Sequence, residues 1–346
     1  MREMSNKRRW VAVIASLCVF ALSMTAEGTA NLASSFTKES ADKVAENLLK
    51  PTLTEKVVEG ENKNAKILEI PIEGAITKSN STSLLGAGEG YDHQLILSSL
   101  KKAQEDSSIK GLLLTVDSPG GGVFESAEVY KAIKDLKEKT GLPVYTSMQR
   151  MAASGGYYIA SASDKIFASQ ETLTGSIGVI MHSLNVSGLL EKYGVKDATI
   201  KSAAHKDIMS TTRPMTDDEK KILQGYVDSA YQRFVDVVDA GRKNLNREQV
   251  LKLADGRIYD GQQAKDQGLV DEIGYREDAI KALSKEMKVK DPQVVTYKQE
   301  TLANWAKWLP KSLAPKGPAS WLNSLLLTKE KSSDEGPRAM YLFGGE

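Results

Sequence analysis

The sequence contains very few of the residues that build disulfides and metal sites. Its 346 residues include one cysteine, Cys18, so the chain cannot form an internal disulfide. The three histidines, His93, His182 and His205, are scattered without H-x-x-x-H spacing or cysteine partners, so we expect no metal and no other cofactor. Lysine and arginine number 46 against 45 acidic residues, and this balance predicts no nucleic-acid partner.

Charge is also missing from one stretch near the N-terminus. Residues 10–26 carry none, and they follow a basic segment, residues 1–9. This pattern predicts a membrane-directing segment, and we favour a retained anchor over residues 1–26 that leaves the rest of the chain on the extracytoplasmic side of the cell membrane. A signal peptide removed near Gly28-Thr29-Ala30 is the alternative. Residues 27–64 are polar and indicate a linker.

Strand-like and helix-like stretches alternate from about residue 65 onward. Apolar runs predict the strands and 3.6-residue periodicity predicts the helices. The expected strands are 67–72, 109–116, 142–148 and 165–168, and the expected helices are 92–104, 123–140, one from 154, and 187–193. Repeated units of this length indicate an α/β fold with mainly parallel strands, in one domain over residues 65–290.

A long amphipathic helix is predicted over residues 216–240. Thr216 to Glu219 match a capping box, and apolar residues then recur every four positions, at Ile222, Tyr226, Ala230, Phe234 and Val238. Such a stripe is typical of a core or a subunit interface. The composition changes after Val294–Tyr297, so residues 291–346 are expected to form a C-terminal extension with a flexible tail.

Ser154 is a candidate nucleophile because of where it stands in the pattern. It follows the predicted strand 142–148 and precedes Gly155 and Gly156 and an apolar helix. A serine at a strand-to-helix elbow exposes its hydroxyl, and the helix N-terminus adds free N–H groups and positive potential. A serine that merely caps the helix is the alternative interpretation.

A second glycine-rich turn, Asp117–Gly122, follows the predicted strand 109–116. Three glycines after Pro119 leave backbone amides uncovered at the mouth of a helix, as an oxyanion hole requires. A phosphate-binding loop is the competing interpretation. The glycines are not followed by lysine and then serine or threonine, and the spacing is not G-x-G-x-x-G, so nucleotide binding is not expected.

A serine nucleophile needs a base, and the sequence offers two neighbouring candidates. His205 lies in a suitable loop, and Lys206 follows it. A lysine acts as a base only when neutral, which requires a desolvated site that lowers its pKa by about 3 units from about 10.4. A lysine in a chain with 26% charged residues is more commonly a solvated surface residue.

Four motifs together resemble one known family, the short membrane-anchored form of bacterial signal peptide peptidase A. In chain order they are Asp117–Gly122, Met151–Tyr158, Leu173–Gly178 and His205–Asp207. The resemblance covers roughly residues 65 to 290. It implies a Clp-protease/crotonase-like fold of repeated β-β-α units and a serine peptidase with a serine-lysine dyad.

The resemblance also implies a role for each matched position. Ser154 would be the nucleophile and Lys206 the general base, and Ser176 would orient the lysine. The amides of Gly121 and Gly155 would form the oxyanion hole. Family members assemble as rings, and short members take the lysine from the adjacent subunit.

The implied function is hydrolysis of remnant signal peptides and other hydrophobic peptides at the outer face of the membrane. An apolar groove along a strand edge would hold such substrates in extended form. Two alternatives stay open at this stage. One is an acyl-CoA enzyme of the crotonase fold, and the other is a non-enzymatic membrane scaffold.

The C-terminal extension carries two further hypotheses. Residues 301–328 hold three of the four tryptophans beside lysines, which suits a membrane surface. The tail from Glu330 ends with Arg338–Phe343, an apolar peptide on a polar tether. We hypothesise that this end enters the protein's own groove and occludes it or is cleaved there, the alternative being simple docking on the domain.

Overall fold

The computed structural model describes residues 52–78, 82–83, 86–87, 90–300 and 340–342. The predicted membrane anchor, most of the predicted linker and the tryptophan-rich residues 301–328 lie outside this part of the chain. The described strands are β1 (Thr52–Glu59), β2 (Asn62–Glu73), β3 (Thr82–Ser83), β4 (Gly86–Ala87), β5 (Ile109–Ser118), β6 (Gly120–Gly122), β7 (Val144–Ala153), β8 (Lys165–Ala168), β9 (Leu173–Gly175), β10 (Ile258–Tyr259), β11 (Glu272–Ile273), β12 (Pro292–Glu300) and β13 (Met340–Leu342).

Nine of these strands form one sheet. Its main path runs β1-β12-β2-β5-β7-β8-β11, and β9 extends from β7 and pairs in turn with β10. Only the β1–β12 and β9–β10 pairs are antiparallel among the described pairs of this sheet. The predicted α/β class with mainly parallel strands is therefore confirmed.

Helices cover both faces of the sheet. Their bounds are α1 (His93–Glu105), α2 (Val123–Thr140), α3 (Gly155–Ala160), α4 (Ser187–Lys192), α5 (Asp217–Gly241), α6 (Arg247–Leu253), α7 (Gly261–Asp266) and α8 (Arg276–Glu286). Leu112 and Leu114 of β5 pack into the larger of two apolar clusters, whereas Leu113 between them packs into the smaller cluster with Leu283 of α8. A strand with both faces buried reads as a continuous apolar run, which is how β5 was recognisable in the sequence.

Two strands extend the folded part beyond the predicted domain boundaries of 65 and 290. Strand β1 lies within the range assigned to the linker, and β12 lies within the range assigned to the C-terminal extension. The two strands pair with each other, and β12 also pairs with β2. Apart from Leu53, Val57 and Val58 the strand is polar, and the two valines are about half exposed, so its composition resembles a linker.

The segment 181–216 extends away from the sheet. It contains the short helix α4, and its side chains are mostly exposed. Helix α5 then returns the chain to the core, where Ala230, Phe234 and Val238 are fully buried while Ile222 and Tyr226 remain half exposed. The stripe predicted for this helix therefore packs against the core only in its second half. None of the described helices is both long and apolar enough to span a bilayer.

Candidate active site

Ser154 stands at a strained turn between β7 and α3. Its backbone has φ 54° and ψ −115°, a conformation that side-chain-bearing residues rarely adopt. The turn is fixed by two backbone hydrogen bonds, since Ser154 N–H donates to the Gly175 carbonyl and Tyr158 N–H donates to the Ser154 carbonyl, each at 2.8 Å. Strain of this kind persists only where surrounding structure enforces it, and it concentrates at functional sites.

The Ser154 hydroxyl does not cap the helix that follows it. Its side chain makes no capping hydrogen bond to α3, although the residue is 99% buried. The interpretation of Ser154 as a simple N-cap is therefore wrong. The hydroxyl stays available to a substrate beside the N-terminus of α3, where the backbone amides point outward.

The glycines of β6 let a peptide approach this turn closely. Gly120 has φ 100°, and a Cβ placed on it would overlap the Tyr341 carbonyl oxygen and lie 2.6 Å from the Gly155 nitrogen and 3.0 Å from the Ser154 Cβ. Only glycine fits such a position. The structure thus brings the second glycine turn against the Ser154 elbow, as the family resemblance implied.

Ser176 lies beside Ser154 because β9 runs parallel to β7. The strand register places Gly175 opposite Ala153, so the next residues, Ser176 and Ser154, leave the sheet side by side. Ser176 is also strained, with φ 48°, and its N–H donates to the Arg257 carbonyl at 2.7 Å. Both serines that the sequence singled out therefore adopt left-handed backbone conformations at neighbouring strand ends.

Lys206 is not brought to Ser154 within the described chain. It is exposed, in a turn where its N–H donates to the Ala203 carbonyl, and its side chain makes no hydrogen bond or ion pair with any described residue. His205, the other candidate base, is half exposed, with Nδ1 4.0 Å from a Glu219 carboxylate oxygen. Neither candidate base hydrogen-bonds to Ser154.

A network of ion pairs holds the turn that carries Lys206. Arg213 donates two hydrogen bonds to the Asp207 carboxylate, at 2.7 and 2.8 Å, and two to Glu219, at 2.5 and 2.9 Å. Lys201 also donates to Asp207 at 2.7 Å. Hydrogen bonds from Arg213 and then Lys201 hold the pKa of Asp207 well below its usual range, and Arg213 lowers the pKa of Glu219 to about 2.

This network ties the turn to helix α5. Glu219 is 1% exposed, and its carboxylate accepts the Thr216 N–H in the capping box that begins the helix. Lys206 is therefore presented from an ordered turn, since its sequence neighbour Asp207 is joined through Arg213 to a buried helix terminus. Sequence reasoning identified the capping box but not this connection.

The C-terminal strand β13 occupies the groove beside the glycine turn. It pairs antiparallel with β6, so that Met340, Tyr341 and Leu342 lie opposite Gly122, Gly121 and Gly120, respectively. Met340 also exchanges two backbone hydrogen bonds with Ile180, at 3.0 and 3.1 Å. Residues 340–342 of the tail thus lie along β6 beside Ser154, and occlusion of a substrate groove and cleavage of the tail both stay predictions.

Tyr341 fills an aromatic pocket next to Ser154. Its ring stacks on Tyr158 at 5.0 Å and packs against Phe234 at 4.6 Å, and its hydroxyl donates to the Ala230 carbonyl at 3.1 Å. The ring is 1% exposed, and burial raises the pKa of Tyr341. Sequence reasoning placed Phe234 in a generic stripe and missed the pocket, because it forms from helices α3 and α5, which are distant in sequence.

Comparison with known proteins identifies the family. The model of peptidase family S49 matches residues 136–290, a range that includes Ser154 and Lys206. A putative signal peptide peptidase SppA from Enterococcus faecium is 44% identical, over 98% of this chain and 99% of that protein. The chain belongs to peptidase family S49. It is therefore a serine peptidase, and the resemblance to signal peptide peptidase A is confirmed.

Other relatives match a smaller share of the chain. A putative protease of Synechocystis is 43% identical over 62% of this chain and 72% of its own length. The capsid assembly protease C of phage lambda is 33% identical over 62% of this chain and 48% of its own length. Membership of the peptidase family removes the two alternatives kept open above, an acyl-CoA enzyme and a non-enzymatic scaffold.

Proposed function

We propose that this S49 peptidase is anchored in the cell membrane by residues 1–26 and degrades remnant signal peptides and other hydrophobic peptides on the extracytoplasmic side. Ser154 is the nucleophile and Lys206 the general base. Gly121 and Gly155 form the oxyanion hole, and Ser176 orients the lysine. The domain follows the Clp-protease/crotonase arrangement of repeated β-β-α units, which agrees with a parallel sheet whose strands end at the site.

The position of the tail carries this proposal. Tyr341 belongs to a peptide that is paired on both edges, and its carbonyl oxygen lies beside the Gly155 amide and the Ser154 Cβ at the space that Gly120 leaves open. A peptide carbonyl at that point is placed for attack by the serine hydroxyl. The residue before the attacked bond then occupies the aromatic pocket.

The proposed chemistry follows from these positions. The neutral Lys206 amine takes the hydroxyl proton as the Ser154 oxygen bonds to the carbonyl carbon, and the oxygen that gains charge is stabilised by the Gly121 and Gly155 amides. The lysine then gives its proton to the departing amine. In the second half of the reaction, water attacks the acyl-enzyme while Lys206 takes a proton from it. Lys206 then returns that proton to the Ser154 oxygen as the acyl group leaves.

The base is proposed to come from a neighbouring subunit of a ring. Lys206 is exposed and makes no hydrogen bond to Ser154 within one chain, and Tyr193 and Ile200 on the same extended segment are 73% and 100% exposed. Apolar side chains at such positions are typical of an interface between subunits. Burial in that interface would desolvate the lysine, as a general base requires.

The substrate class follows from the groove and from the relatives. The pocket around Tyr341 is lined by Tyr158 and Phe234, and Phe124 at the start of α2 beside the groove is 69% exposed. Such a surface favours extended apolar peptides. The Enterococcus relative is named a putative signal peptide peptidase, which supports remnant signal peptides as the physiological substrates.

Mixing two inactive variants tests the proposal. Ser154→Ala and Lys206→Ala should each abolish hydrolysis of a fluorogenic apolar peptide, whereas His205→Ala, the matched control from the same turn, should retain most activity. If the dyad spans two subunits, exchange of subunits between the two variants rebuilds sites that hold both residues, and activity returns. Mixed assemblies that are verified by mass and remain inactive would exclude the shared dyad.

A further inference from the structure

One buried hydroxyl near the catalytic turn has no partner. Ser126 lies in the first turns of α2 and is fully buried, yet its Oγ makes no hydrogen bond within the described residues. A buried hydroxyl without a partner loses its hydrogen bonds to water without replacing them, so such groups are rare and call for an explanation.

Other buried serines in the helices of this chain behave differently. Ser99 of α1 donates to the Leu95 carbonyl at 2.6 Å, and Ser161 after α3 donates to the Tyr157 carbonyl at 2.9 Å. Both use the carbonyl four residues earlier, which is the usual partner of a helical serine. The residue four before Ser126 is Gly122, the N-cap of α2, and Ser126 does not make this bond.

The location of the Ser126 hydroxyl explains what its partner could be. A Cβ placed on Gly155 would lie 2.5 Å from Ser126 Oγ, 3.1 Å from the Gly121 nitrogen and 3.2 Å from the Tyr341 carbonyl oxygen. The position that a Gly155 Cβ would occupy is therefore within about 3 Å of the Ser126 hydroxyl, of one proposed oxyanion donor and of the Tyr341 carbonyl oxygen. This places the Ser126 hydroxyl beside the proposed oxyanion hole.

We propose that Ser126 is a further catalytic residue, whose O–H donates a third hydrogen bond to the oxyanion. As the Ser154 oxygen bonds to the carbonyl carbon, the π electron pair moves to the carbonyl oxygen, which approaches the wall that Ser126 contributes. The hydroxyl has no bond to break before it donates, so its orientation costs little. A donor used only in the transition state raises kcat without tightening substrate binding.

The proposal rests on the proposed peptidase site, and its test separates the two. Ser126→Ala is compared with Ser99→Ala, which removes an equally buried helical hydroxyl away from the site. We expect Ser126→Ala to lower kcat by about 10²-fold and to weaken a peptide aldehyde inhibitor, whose adduct carries the oxyanion, by a similar factor. Ser99→Ala should leave both unchanged.

Two further measurements distinguish catalysis from folding. Binding of an uncleaved peptide is measured with Ser154→Ala alone and with Ser154→Ala and Ser126→Ala combined, and the two should have the same affinity. Ser126→Cys keeps the shape of the side chain with a slightly larger and weaker donor and should give an intermediate kcat. Unchanged kcat in Ser126→Ala, or equal losses of kcat and peptide affinity, would overturn the role of Ser126. Hydrolysis by Ser154→Ala would instead overturn the peptidase site itself.

Discussion

Replacing Tyr341 with alanine is expected to release the groove from its own tail. In the proposed function a substrate binds the same edge of β6 that the tail occupies, so the side chain that anchors the tail would control how often the groove is open. The change is informative because Tyr341 belongs to the tail and not to the groove, so it alters the binding of the tail without altering the groove. The pocket itself, lined by Tyr158 and Phe234, is left intact for substrate.

The size of the effect follows from what the tyrosine contributes. Its ring is 1% exposed, packs on two aromatic rings at 5.0 and 4.6 Å, and donates one hydrogen bond to Ala230. Truncating a buried aromatic side chain costs about 3–5 kcal/mol. At about 1.4 kcal/mol per tenfold, even the lower figure reduces the equilibrium constant for tail docking by about 10²-fold.

Initial rates with a fluorogenic apolar peptide measure this change. Tyr341→Ala should lower the apparent KM strongly and leave kcat unchanged, and deletion of residues 340–346 should match it. Tyr341→Phe is the matched control, because it removes only the hydroxyl bond to Ala230 and should lower the apparent KM by less than about tenfold. A KM in both Tyr341→Ala and the deletion equal to that of the wild type would refute competition by the tail.

The remaining predictions concern cleavage of the tail and the effect of acid on the Lys206 turn. Intact mass after incubation should show loss of residues beyond Tyr341 in the wild type and none in Ser154→Ala, and identical unchanged masses would exclude self-cleavage. The pKa of Glu219 is lowered from 4.5 to about 2, chiefly by Arg213, so its charge stabilises the turn fully above about pH 4.5, and this contribution is lost as pH falls toward 2. The hydrogen-exchange protection factors of residues 203–216, which correct for the intrinsic pH dependence of exchange, should therefore be lower near pH 2 than at pH 5, and unchanged protection factors would contradict the role of the network.

Much of the fold was predictable because local signals agree with it. Helix α2 begins and ends as expected, since the glycine turn precedes it and Gly141 ends it with φ 68°. The elbow at Ser154 was predictable for a similar reason, because a strand pattern, a small-residue turn and an apolar helix follow one another. Strand β1 was not predictable, because its composition carries no clear strand pattern. It becomes a strand by pairing with β12, which is more than two hundred residues away in sequence.

The site was predictable as a set of motifs but not as a geometry. Ser126 has no sequence signal that separates it from Ser99, because both are helical serines near apolar neighbours. Only the approach of α2 to Gly155 brings the Ser126 hydroxyl close to the proposed oxyanion hole. The aromatic pocket is similar, since Tyr158 and Phe234 meet through packing of α3 against α5.

The peptide in the groove also links the two halves of the proposed dyad. One edge of the peptide pairs with β6, next to Ser154. The other edge pairs with Ile180, which exchanges two backbone hydrogen bonds with Met340. Ile180 is the residue from which the chain leaves the core toward the segment that carries Lys206. A substrate bound in the same way therefore fixes the root of that segment while it presents its carbonyl to Ser154. In the proposed ring, Lys206 is presented to a neighbouring subunit from that same segment, so the peptide and the base of the next site are attached to one stretch of chain.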